Sequence, residues 1–151
     1  MLFRSKANIT TQLAVLKATQ TTNVEIPADA KGINSIMKTA TGNYIIEARG
    51  AGYGIKGGNE YHPASGEYII VKVSMTKDGK ILDCITLSQS ESKGIGDACA
   101  DEKFYGQFVG KTEADYKNID AISGATMTTD GYKQAIERAF AVVTILEGGA
   151  K

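Results

Sequence analysis

A hydroxyl-rich stretch near the end of the chain holds the side chains best suited to chemistry. Residues 120–129 read Asp-Ala-Ile-Ser-Gly-Ala-Thr-Met-Thr-Thr and directly precede a helical pattern. Asp120 and Ser123 can accept hydrogen bonds from the first backbone N–H groups of that helix. Thr126 and Thr128 place hydroxyls at the positive end of its dipole, where free N–H groups bind phosphate. The stretch therefore suits a helix cap, which is the more common role of such residues, or a phosphate seat.

Two small residues and one distant histidine limit what this stretch can do. Gly124 can adopt φ > 0 or let another group approach closely, and Ala125 adds little bulk. A hydroxyl is a poor nucleophile at neutral pH without a base, and the single histidine, His62, lies far away in sequence. We therefore do not expect self-contained serine or threonine hydrolase chemistry.

Charge and cysteine content exclude several classes of function. Lys plus Arg and Asp plus Glu each number 17, so the formal net charge of +0 gives no footprint for nucleic acid or an anionic membrane surface. Cys84 and Cys99 are too few for a disulfide framework, and their spacing leaves open whether they pair or stay reduced. With one histidine, we do not expect a zinc or iron–sulfur site.

Hydropathy gives no candidate for a membrane-spanning segment. The longest apolar run, residues 140–146, is far shorter than the roughly 20 residues that a bilayer requires. The first residues carry no apolar signal-peptide core. We therefore expect either a cytosolic protein or one whose leader or anchor lies outside this chain.

Strand and turn signals predict a sheet in the first part of the chain. The segments rich in β-branched and aromatic residues are 32–39, 44–49, 68–76 and 80–88. Asp78 and Gly79 form a hairpin signal between the last two, which should be antiparallel neighbours. The 17 glycines are not spread evenly, and they gather at 50–58, at 94–96 and at Gly124. These clusters predict loops where the backbone turns tightly or approaches another group.

Three segments show helical spacing. A stripe of apolar residues predicts an amphipathic helix over residues 128–147. Phe104 and Phe108 stand at i and i+4 and predict a helix over residues 99–108. Residues 1–22 predict a frayed helix that docks on the domain or follows a membrane anchor in a longer parent protein. The fold class is therefore α+β: an antiparallel or mixed sheet packed against helices, with the long C-terminal helix starting at the hydroxyl-rich stretch.

The hydroxyl-rich stretch resembles a known attachment signature. Asp120 to Thr126 is similar to the Asp-x-x-(Ser/Thr)-Gly-Ala-Thr motif of FMN-binding domains. These domains occur in the peripheral FMN subunits of the sodium-pumping NADH:quinone reductase and of the Rnf ferredoxin:NAD complex. In that family the last threonine carries FMN through a phosphoester bond. The resemblance implies that Thr126 is the covalent FMN site and that Ser123, Gly124 and Ala125 form the attachment loop.

Further segments match the same family in the same order. Residues 91–97 are similar to its Glu-Thr-Pro-Gly-Leu-Gly loop, and residues 104–111 are similar to its Phe-x-x-Gln-Phe-x-Gly-Lys stretch. Residues 52–54 lie where the family has a Gly-aromatic-Gly loop after a strand. The resemblance covers about residues 44–140, and the ordered set of motifs is far more specific than the short signature alone.

The 91–97 loop departs from the family pattern at three positions. Ser92 keeps the hydroxyl of the usual threonine, Lys93 removes the stiff turn proline, and Ile95 replaces leucine with another apolar side chain. Gly94 and Gly96 keep the two glycines of the pattern.

The resemblance implies a flavin carrier whose ring lies against the two glycine loops. Tyr53 and Ile95 are expected to line the isoalloxazine ring, while Ser92 and the backbone N–H groups of residues 94–97 donate hydrogen bonds to it. Glu91 is expected to orient that loop, and Thr128 to lie beside the phosphate. Two plainer roles stay open: Tyr53 packing on the core, and Glu91 as an exposed surface carboxylate.

The family also implies partners and a location. A separate magnesium-dependent flavin transferase would attach FMN from FAD, and redox partner subunits of a membrane complex would exchange electrons with it. The domain would occupy residues 23–151, after the helical lead of residues 1–22, on the extracytoplasmic face of the cell membrane. Its role would be that of an electron carrier rather than an independent enzyme.

Two other functions fit the residues. The first is an FMN-dependent reductase module that acts on a small acceptor, which turnover with NADH by the isolated domain would favour. The second is a flavin-free surface interaction module in which the threonines only cap a helix. An intact mass equal to the bare polypeptide, after production with the transferase, would favour the second.

Overall fold

The computed structural model describes residues 21–56, 66–89, 91 and 96–148. The strands in these residues are β1 (Thr21–Asn23), β2 (Ile33–Thr39), β3 (Tyr44–Gly50), β4 (Ile69–Met75) and β5 (Ile81–Ser88). The helices are α1 (Tyr53–Lys56), α2 (Glu102–Tyr105) and α3 (Thr126–Leu146). Two 3-10 turns, Gly96–Ala100 and Gly106–Phe108, flank α2.

The five strands form one antiparallel sheet in the order β1-β2-β3-β4-β5, so each strand pairs with its neighbour in sequence. The predicted hairpin turn joins β4 to β5, and Gly79 there has the φ of +88° that such a turn requires. Between β3 and β4 the register runs from Tyr44 opposite Met75 to Gly50 opposite Ile69. The predicted sheet is confirmed in its antiparallel form.

The long helix α3 packs mainly on β3 and β4. The predicted apolar stripe is buried, and its members are Tyr132, Ala135, Ile136, Ala139, Phe140 and Val143. Ile46 and Ala48 of β3 and Val71 of β4 belong to the same core. The α+β fold class is therefore confirmed, with the core between the sheet and α3. Among the described residues, no helix combines the length and apolarity needed to cross a membrane.

The helix predicted over residues 99–108 is wrong as a single element. The segment forms a 3-10 turn, the short helix α2 and a second 3-10 turn. The break falls at Asp101, whose backbone is extended (φ −89°, ψ 136°) and whose side chain accepts a hydrogen bond from the N–H of Lys103. Asp101 thus starts a new helix instead of continuing one. Phe104 and Phe108 are both buried, with their ring centroids 5.7 Å apart.

Both other helix boundaries also differ from the prediction. The N-terminal helix does not extend to residue 22, because Thr21 and Thr22 pair with β2 as part of β1. β-Branched threonines favour that extended pairing at a sheet edge. The remainder of the predicted lead, residues 1–20, lies outside the described residues. Helix α3 begins at Thr126 rather than at Thr128, so Thr126 is its first helical residue.

Candidate functional site

The first two turns of α3, the junction of β3 with α1, and Glu91 come together at one end of the sheet. Backbone contact between glycines brings the junction against the helix. A Cβ atom at Gly50 would lie 1.8 Å from the carbonyl oxygen of Gly131, and a Cβ atom at Gly131 would lie 2.6 Å from the Cα of Gly52. Any side chain at these positions would push the two backbones apart. Gln134 adds a bond, since its Oε1 accepts from the N–H of Ala51 at 2.8 Å.

The carboxylate of Glu91 joins this junction to α3. Its Oε1 accepts hydrogen bonds from the N–H of Tyr53 and from Oγ1 of Thr128, each at 2.6 Å. Its Oε2 accepts a bond from the N–H of Gly54 at 3.0 Å. Glu91 thereby satisfies donors at the start of α1 and a hydroxyl in the first turn of α3. The alternative of an exposed surface carboxylate is wrong, because Glu91 is half-buried and links two elements.

Two glycines provide the space that Glu91 and Thr128 occupy. A Cβ atom at Gly52 would lie 2.5 Å from Glu91 Oε1. A Cβ atom at Gly96 would lie 2.6 Å from Thr128 Oγ1 and 2.8 Å from Glu91 Cβ. Gly52 and Gly96, one from each predicted glycine cluster, therefore meet around one carboxylate, as close approach by the backbone predicted.

The start of α3 is not capped as the sequence predicted. The residue at the N-cap position is Ala125, and no side chain caps the helix there, so the prediction that Asp120 and Ser123 cap it is wrong. Thr129 instead acts from inside the helix. Its Oγ1 donates to the carbonyl of Ala125 at 2.9 Å and accepts from the N–H of Ile122 at 3.1 Å. These bonds hold the preceding loop and leave the helix N-terminus without a side-chain acceptor.

The hydroxyls of the stretch fall into two classes. Thr128 and Thr129 are each 2% exposed and donate to Glu91 and to a backbone carbonyl, respectively. Ser123 and Thr126 are exposed to solvent. Gly124 has a φ of +74° and turns the chain between the two exposed hydroxyls. Only Ser123 and Thr126 are therefore accessible to an external reagent.

Gln107, in the motif of residues 104–111, forms hydrogen bonds with the backbone of Asp120, the first residue of the hydroxyl-rich stretch. Gln107 Oε1 accepts from the N–H of Asp120 at 2.7 Å, and its Nε2 donates to the carbonyl of Asp120 at 3.1 Å. Nε2 also donates to the carbonyl of Phe104 at 3.2 Å. The Asp120 side chain itself remains exposed. An open cavity of about 410 Å³ adjoins this contact and is lined by Ala98, Asp101, Lys103, Phe104, Gln107, Asp120 and Ala121.

A buried polar chain ties α3 to β5 beneath the site. Thr86 Oγ1 donates to the carbonyl of Cys99 at 2.6 Å, so the Tyr132 hydroxyl 2.7 Å away must donate to Thr86. The thiol of Cys84 lies 3.7 Å from the Tyr132 oxygen and completes the chain as a donor. Burial raises the pKa of Tyr132 well above its ordinary value. The hydrogen-bonded side chains of Thr86, Tyr132 and Cys84 are therefore uncharged, and their bonds hold α3 against β5.

The two cysteines do not supply reactive thiolates. Both are free and buried. Burial raises the pKa of Cys84 and of Cys99 to about 12 each, so both stay protonated at neutral pH. Of the two states that the sequence left open, the structure has the unpaired one.

The predicted site residues are only partly brought together. Glu91 and Gly96 contact Thr128 in the first turn of α3. Tyr53 is half-buried and is joined to that turn through the bond from its N–H to Glu91. Ser92, Gly94, Ile95 and His62 lie outside the described residues. Sequence reasoning missed Gly131, Gln134 and the role of Thr129. Gly131 carried a usable signal, because glycine inside a helix costs about 1 kcal/mol relative to alanine and needs a packing reason.

Comparison with known proteins identifies a family and two similar proteins. The profile of the family described as FMN-binding domain matches residues 66–141. A component of the proton-translocating ferredoxin:NAD(+) oxidoreductase complex of Clostridium ljungdahlii is 31% identical over 115 residues, which are 70% of this chain and 56% of that protein. The crystal structure of NqrC from Shewanella oneidensis shares the fold, with a TM-score of 0.54 and 23% identity over 72% of this chain and 56% of that one. The chain thus spans little more than half the length of each.

Proposed function

The chain belongs to the FMN-binding domain family, and from this premise we propose that it is an electron-transfer domain that carries FMN on Thr126. The proposed link is a phosphoester bond, and the domain passes electrons within a membrane-associated redox complex. The observation that carries the proposal is the contrast between hydroxyls: Thr128 and Thr129 are buried and bonded, whereas Thr126 is exposed at the first position of α3.

The start of α3 suits a phosphate group. The first N–H groups of an α-helix have no acceptor within the helix, and no side chain caps them here. A phosphoester on Thr126 would lie beside these donors and the positive end of the helix dipole. Ser123 is exposed too, but it precedes Gly124 and lies outside the helix. The proposal therefore assigns Thr126 as the tether, with Ser123, Gly124 and Ala125 as the attachment loop.

The surrounding residues form a platform for the flavin. When bound, FMN supplies the redox chemistry, and the protein positions it and sets its environment. The bonds from Tyr53, Gly54 and Thr128 to Glu91 fix the junction loop against α3. Tyr53 and Ile95 as ring-lining residues, and Ser92 as a donor to the ring, remain predictions of the family resemblance. Thr128 is proposed as a support for Glu91 rather than as a ligand.

Attachment requires a second protein. Among the described residues, no histidine lies near Thr126, and a threonine hydroxyl needs a base to act as a nucleophile. We assign that task to a flavin transferase that uses FAD. The Thr126 oxygen forms a bond to the phosphorus of the FMN half, the bond to AMP breaks, and the hydroxyl proton passes to the transferase. AMP leaves, and no oxidation or reduction takes place.

The wider context of the domain also belongs to the proposal. The relative from Clostridium ljungdahlii is named as a subunit of a ferredoxin:NAD(+) oxidoreductase complex. By analogy we propose that this chain works with redox partner subunits on the extracytoplasmic face of the membrane, and that residues 23–151 form the FMN-binding unit. Within such a complex the domain is an electron carrier.

The test is the intact mass of protein produced with and without a flavin transferase. We expect the wild-type chain produced with the transferase to gain one FMN less one water, and Thr126→Ala to gain nothing. Thr144→Ala is the matched control, because Thr144 is an exposed threonine near the other end of the same helix. Covalent flavin on Thr126→Ala would refute the assignment. A bare wild-type polypeptide would favour the flavin-free interaction module.

A further inference from the structure

Met127 is an exposed large apolar side chain directly after the proposed tether. It lies in the first turn of α3 and is 44% exposed. The two residues that follow it, Thr128 and Thr129, are 2% exposed, so the buried face of the helix begins immediately beyond it. Of the other methionines in the described residues, Met75 is fully buried and Met37 is half-buried in the sheet.

Helical spacing sets the direction of Met127. Residues at i, i+4 and i+7 share a face of a helix, so Met127 lies on the same face as Gly131 and Gln134. That face carries the junction of β3 with α1, because Gly131 contacts Gly52 and Gln134 bonds Ala51. Met127 is therefore placed on the helix face that carries the contact of Gly131 with Gly52, and the chain continues from Gly52 to Tyr53.

A second residue limits the path of a group attached to Thr126. Asp130 is exposed and lies four residues after Thr126, so the two share a helix face. Side chains on a helix lean toward its N-terminus, which brings the Asp130 carboxylate toward the Thr126 oxygen. Like charges at this spacing repel, so a phosphoester on Thr126 would turn away from Asp130. Met127 is the adjacent exposed apolar surface.

From these placements we propose that Met127 is the residue on which the isoalloxazine ring of the attached FMN packs. The inference rests on the proposed attachment at Thr126 and adds the ring contact. The thioether is flexible and polarizable and makes favourable contacts with aromatic rings. The ring would cover the exposed side chain, and Tyr53 would border the same surface from the loop side. Attachment and ring packing are thus assigned to neighbouring residues of one helical turn.

The test measures the freedom of the ring in protein whose FMN content is already known. Wild type, Met127→Ala, Met127→Leu and the control Val109→Ala are produced with a flavin transferase, and only molecules with the FMN mass are compared. Val109 is an apolar residue of similar exposure, 47%, outside the site. We expect Met127→Ala to lose flavin fluorescence anisotropy and gain intensity, Met127→Leu to keep the anisotropy, and Val109→Ala to match wild type.

Two outcomes separate this inference from the proposed function. If no variant carries FMN, the attachment proposal fails before the ring is examined. If Met127→Ala carries FMN with the anisotropy and intensity of wild type, ring packing on Met127 is refuted while the attachment stands. Thermal unfolding of the unflavinylated variants checks the fold, and an exposed side chain such as Met127 should change it little.

Discussion

The two ends of α3 are held in place by different forces. The first turns, up to Gln134, are fixed by hydrogen bonds to Glu91 and Ala51, by backbone contact between Gly131 and Gly52, and by the single buried ring of Tyr132. The later turns are fixed mainly by apolar burial against the sheet, with a hydrogen bond from Arg138 Nη1 to the carbonyl of Arg49. The buried side chains there are Ala135, Ile136, Ala139, Phe140, Val142 and Val143.

This difference separates stability from function along one helix. Apolar burial depends on area and tolerates exchange between side chains of similar volume. The hydrogen bonds and the glycine contact of the first turns depend on particular atoms at particular distances, so an added methyl group or a missing hydroxyl disrupts them. The later turns therefore anchor the helix, and the first turns define where the proposed tether stands. Four substitutions test this division, beginning with the largest expected effect.

Phe140→Ala should have the largest effect, on stability. Phe140 is 2% exposed and its ring centroid lies 5.3 Å from that of Tyr116. Truncation removes buried area and leaves a cavity, at a cost of about 3–5 kcal/mol in the free energy of unfolding. Urea unfolding measures the change, with Phe140→Leu as the milder control. A loss below about 1 kcal/mol would contradict the anchoring role.

Gly131→Ala should reverse the usual effect of this substitution. In a helix alanine is favoured over glycine by about 1 kcal/mol, but a Cβ atom here would lie 2.6 Å from the Gly52 backbone. We expect a net loss of about 1–3 kcal/mol in the free energy of unfolding, as for an overpacked site.

Gly106→Ala is the matched control for Gly131→Ala. Gly106 has helical angles (φ −64°, ψ −19°), and a Cβ atom there would meet nothing nearer than 3.8 Å. Alanine should be neutral or stabilising at this position. Equal effects of the two substitutions would show that close approach to Gly52 is unimportant.

Thr128→Val should cost about 1 kcal/mol, because it removes one hydrogen bond while Glu91 Oε1 keeps its bond to Tyr53. Valine matches the shape of threonine, so packing is preserved. The variant should still acquire FMN from a transferase, because the Thr128 hydroxyl is buried and engaged. Intact mass and urea unfolding check the two outcomes. Complete loss of FMN with an intact fold would move the tether to Thr128.

The smallest expected effect is a pH dependence of the stability of the fold that comes from Asp115. This residue directly precedes Tyr116, whose ring contacts Phe140 in the later turns of α3. The N–H of Thr112 donates to the Asp115 carboxylate at 2.6 Å and holds the pKa of that carboxyl below its ordinary value. The carboxylate therefore stabilises the fold above about pH 4, its unfolded pKa, and this contribution is lost as pH falls through the lower folded value.

Asp115→Asn isolates that contribution, since asparagine keeps an acceptor but does not ionise. We expect the stability difference between wild type and Asp115→Asn to shrink as the pH falls below about 4. Thermal unfolding across this range measures it. A difference that stays constant or grows in acid would contradict the lowered pKa.

The sequence predicts the apolar contacts of the fold better than the polar contacts of the site. Alternating and helical apolar patterns predict β2 to β5 and the buried stripe of α3, because burial of apolar area follows periodicity. They do not predict that Glu91 joins three donors from distant segments. The predicted cap at Asp120 and Ser123 is wrong, because the N-cap position falls on Ala125, and Thr129 bonds the preceding loop from inside the helix. Such contacts depend on tertiary geometry.

Short elements are the other source of error. The apolar spacing of Phe104 and Phe108 is compatible with one helix, but the Asp101 side chain bonds locally and divides the segment. The glycine clusters predict close backbone approach, and the structure supplies the approached group at Gly50 and Gly52. Gly131 is absent from the predicted site residues, although the cost of glycine inside a helix points to such a contact.

The most direct test of the central claim is the location of FMN in transferase-treated protein. Cleavage after Lys117 and Lys133 releases residues 118–133, which contain Ser123, Thr126 and the two buried threonines. Fragmentation of this peptide by tandem mass spectrometry should place the FMN phosphoester on Thr126. Flavin on Ser123, on a buried threonine or on any other peptide would contradict the claim.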